Sequence, residues 1–199
     1  MMIEATSILD AAIEQVRARN QAIAIPMSRA EFLALPEMNV PIEYIDGATI
    51  VSPSPIDFHQ EQVYEAAALI KSLFPNGKTR IAPLDVHIDG FNTPQPDVFW
   101  VSAANTGCRL GDDGYWYGAP DLIVEVLSPS TERRDRGDKF DIYQAAGVRE
   151  DWLVGSDYVE VYHAVAGKFA RIGVFGTGEA FPTALIEAMT IPADRLFAS

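Results

Sequence analysis

Glu125 interrupts an apolar run, Leu122-Ile123-Val124-Glu125-Val126-Leu127, that otherwise reads as a buried strand. A carboxylate placed there without a partner costs several kcal/mol even after the protein relaxes around it. Acids are rarely buried so fully unless something holds them, which leaves a buried arginine, backbone amides or a metal ion. Asp97 opens a second run, Gln95-Pro96-Asp97-Val98-Phe99-Trp100-Val101, and Pro96 suits the beginning of a strand better than its centre. Taken alone, Asp97 also reads as a simple strand-entry residue. If the two strands pair, however, both carboxylates meet at one end of a sheet. Two such acids repel, and hard oxygen ligands with room for water suit magnesium or manganese.

Lys139 is the third candidate. At helical spacing it shares a face with Asp135, Ile142, Tyr143 and Ala146. Its carbon stem can lie along the apolar surface and carry the ammonium toward the end of the sheet. The alternative is a salt bridge to Asp135 in the favourable i, i+4 order. Just before it, Thr-Glu-Arg-Arg-Asp-Arg-Gly-Asp-Lys brings Arg133, Arg134 and Arg136 together. Such a run reads either as a solvated helix entrance or as a set of phosphate contacts.

The elements that must position these residues are legible from hydrophobic period and turn chemistry. Residues 3–19 form an amphipathic helix, with Ile3, Ile8, Leu9, Ala12, Ile13 and Val16 on one side. Ser28 and Glu31 make a capping-box signature. The runs Ile42–Ile45 and Ala48–Val51 flank Asp46-Gly47, a strong hairpin signal. Asp57 is a candidate cap for a helix over about 58–74, whose inward face includes His59, Val63, Ala66, Ala67, Ile70 and Phe74. A strand is expected around residues 79–88, then the Asp97 strand, a polar connection over 103–118, the Glu125 strand, a helix near 134–146 and a strand at 151–154. Residues 158–165 and 168–175 read as a hairpin turning at Ala166-Gly167, and a short helix closes the chain near 193–197. The central order is helix, three strands, helix, strand. It implies an α/β protein with a mixed sheet and helices on its faces, organised as one domain over 1–199.

With 199 residues and 48% hydrophobic content, the chain is long enough for a sizeable core. The lone Cys108 excludes an internal disulfide and a cysteine-based zinc site, and it reads as a small apolar loop residue. No apolar run is long enough to span a bilayer, and the acidic amino terminus is unlike a secretory signal, so a cytoplasmic setting is expected. A net charge of −13 argues against a non-specific nucleic-acid coat. It does not argue against an enzyme with a locally basic groove or a bound metal.

Gln-Pro-Asp-Val-Phe-Trp-Val, Gly118 to Thr131, Arg133 to Glu150 and Asp-Trp-Leu-Val resemble, in that order, the Uma-two family of restriction-endonuclease-like proteins. Ile42 to Gln60 resembles the same family's amino-terminal signature, so the likeness covers about residues 42–155. The family belongs to the PD-(D/E)xK nuclease superfamily. Its core order is the one read above, flanked here by an amino-terminal helix and extra hairpins. The resemblance implies that Asp97 and Glu125 are the catalytic acids. Leu127 stands where the usual lysine would fall, and the family's lysine comes from the following helix, at Lys139.

The implied chemistry is hydrolysis of DNA phosphodiesters with Mg2+ or Mn2+ held by Asp97, Glu125 and the backbone carbonyl of Val126. Lys139 would orient the attacking water or stabilise the transition state. Glu43 and His59 match the amino-terminal signature, with supporting roles at the metal end. Each also has a plain reading, Glu43 as a hairpin surface residue and His59 as a core or cap histidine. The chain departs from the family pattern at Asp151, where an aromatic residue is common. The alternatives are a catalytically silent nuclease-fold module for nucleic-acid binding or assembly, and a phosphohydrolase of a small substrate. Strand edges and the two hairpins are compatible with a homodimer.

Overall fold

The computed structural model describes residues 2–36, 38 and 40–197; the side chains of residues 2–6, and with them Ile3, lie outside that description. In chain order the elements are α1 (Met2–Arg19), β1 (Ile23–Pro26), α2 (Arg29–Leu33), β2 (Ile42–Ile45), β3 (Ala48–Val51), α3 (Asp57–Leu73), β4 (Gly77–Ile81), β5 (Val86–His87), β6 (Val98–Ser102), β7 (Arg109–Leu110), β8 (Trp116–Tyr117) and β9 (Leu122–Val126). There follow α4 (Glu132–Arg134), a π-helical segment (Asp135–Lys139), α5 (Phe140–Ala146), β10 (Glu150–Val154), β11 (Tyr158–Val165), β12 (Lys168–Gly176), β13 (Ala180–Pro182), β14 (Thr190–Pro192) and a 3-10 turn (Ala193–Leu196).

The main sheet has six strands in the order β12-β11-β10-β9-β6-β4. Its β9–β10 pair is parallel, while its other pairs are antiparallel. It is therefore the mixed sheet the sequence implies, with α3, β4, β6, β9, the following helix and β10 in the expected core order. All five residues of β9 are buried, as are those of β10, because helices cover both faces of these central strands. One face packs Val98, Trp100, Val124 and Trp152 against Val63, Ala66, Leu69 and Ile70 of α3. The opposite face packs Phe99 and Ile123 against Tyr143 of α5 and Val148.

A separate three-stranded sheet, β1-β3-β2, lies against α1, and its cluster includes Leu9, Ala12, Ile13, Val16, Ile25, Phe32 and Tyr44. Ile8, expected on that buried face, is instead about half exposed (49%). The Asp46-Gly47 turn has positive φ at both residues, 46° and 79°, as a type I′ hairpin requires. Ala166-Gly167 repeats the pattern with 51° and 77°. Ser28 and Glu31 form the expected reciprocal capping box.

Three local expectations are corrected. Residues 79–88 are two strands in different sheets rather than one, since β4 ends at Ile81 and Pro83, which has no amide to donate, leads the chain out of the main sheet. The connection over 103–118 contains β7 and β8, which join β5 in a small sheet. Asp57 does not cap α3: Ile56 occupies that position with extended backbone, and Asp57 is the first helical residue, where its charge favours the helix dipole. Among the described residues, no helix is long and apolar enough to cross a membrane.

Candidate active site

Antiparallel pairing of β6 with β9 matches Val98 to Val124, so the next step of the register sets Asp97 across from Glu125. Alternation along the strands puts both carboxylates on the face that carries Phe99 and Ile123, under the π segment and α5. The Val126 amide donates to Asp97 Oδ2 at 2.7 Å, and the Asp97 amide makes a long contact of 3.4 Å to Glu125 Oε2. The two acids expected to share a sheet end do so.

The π segment Asp135–Lys139 widens one turn of the helix above them, a feature frequent at functional sites. It delivers Lys139, only 3% exposed, into the carboxylates. Lys139 Nζ lies 2.6 Å from Glu125 Oε1, 3.2 Å from Glu43 Oε1 and 3.6 Å from Asp135 Oδ1. The two readings of Lys139 are thus both realised: it reaches the end of the sheet and it pairs with Asp135. Burial disfavours the ammonium, but Glu125, Glu43, Asp135 and Asp97 outweigh that effect and raise its pKa, so it stays charged.

Glu43 is buried rather than a surface residue of its hairpin. Its carboxylate accepts from the Gln95 amide at 2.8 Å and pairs with Arg134 at 3.2 Å as well as with Lys139. Burial raises its pKa, yet Lys139 and Arg134 overcome this and leave it lowered. His59, at the start of α3, reaches across the sheet end to place Nε2 at 3.3 Å from Asp97 Oδ2. Burial disfavours its imidazolium, but Asp97, the Val126 backbone and Asp135 together raise its pKa.

The three arginines separate. Arg134 is engaged by Glu43 and by Ser52 Oγ at 3.1 Å. Arg136 is held by Glu132 at 2.8 Å and Glu160 at 2.7 Å. Arg133 is exposed, and among the described residues no acid lies within ion-pair distance of it.

One buried residue at this site had no role assigned from sequence. Tyr143 donates its hydroxyl to Glu125 Oε1 at 2.6 Å. Its spacing four residues after Lys139 was the available signal. Asp135 is 2% exposed, and its Oδ2 has no hydrogen-bond partner among the described residues.

Glu43, Asp97, Glu125 and Asp135 thus gather around two fixed cations, Lys139 and Arg134. Burial raises the pKa of Glu125 well above the usual range; Lys139 opposes this, and Asp135, Asp97 and Glu43 add to it. The cluster is short of positive charge and rich in hard oxygen donors, which is the donor chemistry of a divalent cation such as Mg2+ or Mn2+. No group of three His, Cys, Asp or Glu side chains among the described residues forms a ready metal cage. A divalent cation held by Asp97 and Glu125 would take its remaining ligands from backbone oxygen and water.

The family model described as "Uma2: Putative restriction endonuclease" matches residues 29–193. The chain belongs to the Uma2 family. The match encloses Glu43, His59, Asp97, Glu125 and Lys139, and it confirms the resemblance read from the ordered motifs. An uncharacterized protein from Synechocystis is 32% identical over 127 residues, covering 61% of this chain. The match spans 65% of that relative's own length. A crystal structure from Anabaena variabilis, described as a putative nuclease belonging to DUF820, is 22% identical with a TM-score of 0.70. It covers 86% of this chain and 98% of that one, which establishes for this Uma2 protein the nuclease-like fold.

Proposed function

We propose that this chain is a divalent-metal-dependent nuclease that hydrolyses DNA phosphodiesters. The observation that supports it most is the pairing of Asp97 with Glu125 at the end of β6 and β9, with Lys139 2.6 Å from Glu125. The Uma2 family description supports a nuclease reading independently.

Asp97, Glu125 and the Val126 carbonyl would hold Mg2+ or Mn2+, which supplies Lewis-acid charge for activating water and neutralising the phosphate. Lys139 opposes the burial that raises the pKa of Glu125 and adds a fixed positive charge beside it. Its N–H groups face three carboxylates, so orienting a water or a phosphate oxygen requires it to yield one of them. The 3.2 Å contact to Glu43 is longer than the contact to Glu125, and Arg134 remains to hold Glu43. His59 positions Asp97 through Oδ2. Arg133, the exposed arginine of its run, is available to a DNA phosphate at the helix entrance, while Arg134 is engaged by Glu43 and Arg136 by Glu132 and Glu160.

The test is cleavage of supercoiled, linear and single-stranded DNA by purified protein with Mg2+ or Mn2+, alongside Glu125→Gln and Lys139→Ala. Cleavage by the wild type should fall by about a hundredfold or more in each variant. Folded wild type that binds DNA without cutting any form would favour a silent module. Activity that survives both substitutions would overturn the site assignment.

A further inference from the structure

We propose that Tyr143 is a positioning residue that sorts the two oxygens of Glu125, committing Oε1 to the protein and leaving Oε2 on the side of Asp97. The inference rests on the reading of Glu125 as a metal ligand.

The two oxygens are treated very differently. Oε1 receives both strong donors, the Tyr143 hydroxyl at 2.6 Å and Lys139 Nζ at 2.6 Å. Oε2 meets only the long 3.4 Å contact from the Asp97 amide among the described residues. Lys139 by itself does not enforce that choice, because its flexible ammonium is also drawn toward Glu43 and Asp135. The Tyr143 ring does. It is fully buried in the cluster that contains Phe99, Ile123 and Val148, and a phenol on two torsions has little freedom to follow a turning carboxylate. Tyr143 is thus an uncharged, immobile donor that fixes a carboxylate without competing for its second oxygen, the arrangement by which supporting groups tune metal ligands.

Tyr143→Phe removes the hydroxyl and keeps the ring. Mn2+ binding, followed by the electron paramagnetic resonance signal of free Mn2+, should weaken about tenfold in this variant. Far-UV circular dichroism and cooperative unfolding should be retained, which separates positioning from a purely structural role. Glu125→Gln should weaken binding further. Tyr143→Phe binding Mn2+ as tightly as wild type, while Glu125→Gln does not, would overturn this inference alone. Wild type that binds no Mn2+, or Glu125→Gln that binds like wild type, would overturn the metal-site reading beneath it. A second measurement needs no substitution: on titration of the wild type with Mg2+, the hydroxyl proton resonance of the buried Tyr143 should shift. An unmoved resonance under saturating Mg2+ would also contradict the proposal.

Discussion

Lys139 Nζ and Glu125 Oε1 lie 2.6 Å apart, with the two side chains 4% and 1% exposed. An ion pair so removed from water is costly to form and more costly to break on one side, because the survivor is left as an uncompensated buried charge. This relationship ties the chemistry of the site to the stability of the fold.

Lys139→Met should therefore do more than impair cleavage. It strands Glu125 and removes a partner from Glu43 and Asp135. Urea unfolding should show a loss of about 3–5 kcal/mol. Adding Glu125→Gln to Lys139→Met should cost less than the sum of the single losses, as expected for groups in contact. Strict additivity would contradict the pairing. Because Lys139 is buried, its loss costs stability as well as turnover.

Asp151 supplies a further pH signature, within electrostatic reach of Lys139 and Asp135. It is fully buried, both carboxylate oxygens lack hydrogen-bond partners among the described residues, and burial raises its pKa to about 8 from 3.8, with Lys139 partly opposing. Between those values the folded protein holds a proton that the unfolded chain has released. Its contribution is thus most favourable below about pH 4, is lost as pH rises, and levels off above about pH 8. Asp151→Asn should stabilise the protein near neutral pH, by an amount on the order of a few kcal/mol. Urea midpoints at about pH 5 and pH 8 should fall less with rising pH in the variant than in the wild type; equal slopes would refute the assignment.

Cys108 should be inert. It is 3% exposed, and burial, with a smaller contribution from Asp121, pushes its thiol up to about 12. Since the thiolate is the reactive form, a disulfide reagent near pH 8 should label the native protein slowly and the urea-unfolded protein at once. Rapid native labelling would show that the loop around Cys108 opens readily.

What was legible in the sequence follows from how local the signals are. The Asp46-Gly47 and Ala166-Gly167 turns are written in residues that tolerate or require positive φ, and both hairpins appear. Glu125 stood out because a single charge in a five-residue buried strand has few explanations. Lys139 was found through helical spacing, although a π segment lies where a regular helix was expected. The partners of Glu43 were not legible: Arg134 and Lys139 come from a helix about 90 residues along the chain, and only the tertiary fold brings them to β2. Tyr143 lay on the right face, but an apolar-packing tyrosine looks the same in sequence whether or not its hydroxyl meets an acid. Pro83 and the departure of β5 into another sheet were hidden by the β-prone residues on either side.

If Asp97 and Glu125 form a metal-dependent hydrolytic site, Asp97→Asn should abolish most of its activity. Asp97 is less buried than Glu125 (18% against 1% side-chain exposure), so its amide replacement should leave the fold intact. The decisive measurement is the initial rate of plasmid cleavage by wild type and Asp97→Asn across a Mn2+ titration. Wild type should cleave in a metal-dependent manner that chelation abolishes, and the variant should be slower by about a hundredfold or more at every Mn2+ concentration. Equal rates for the two proteins, or cleavage that continues after chelation, would contradict the site assignment.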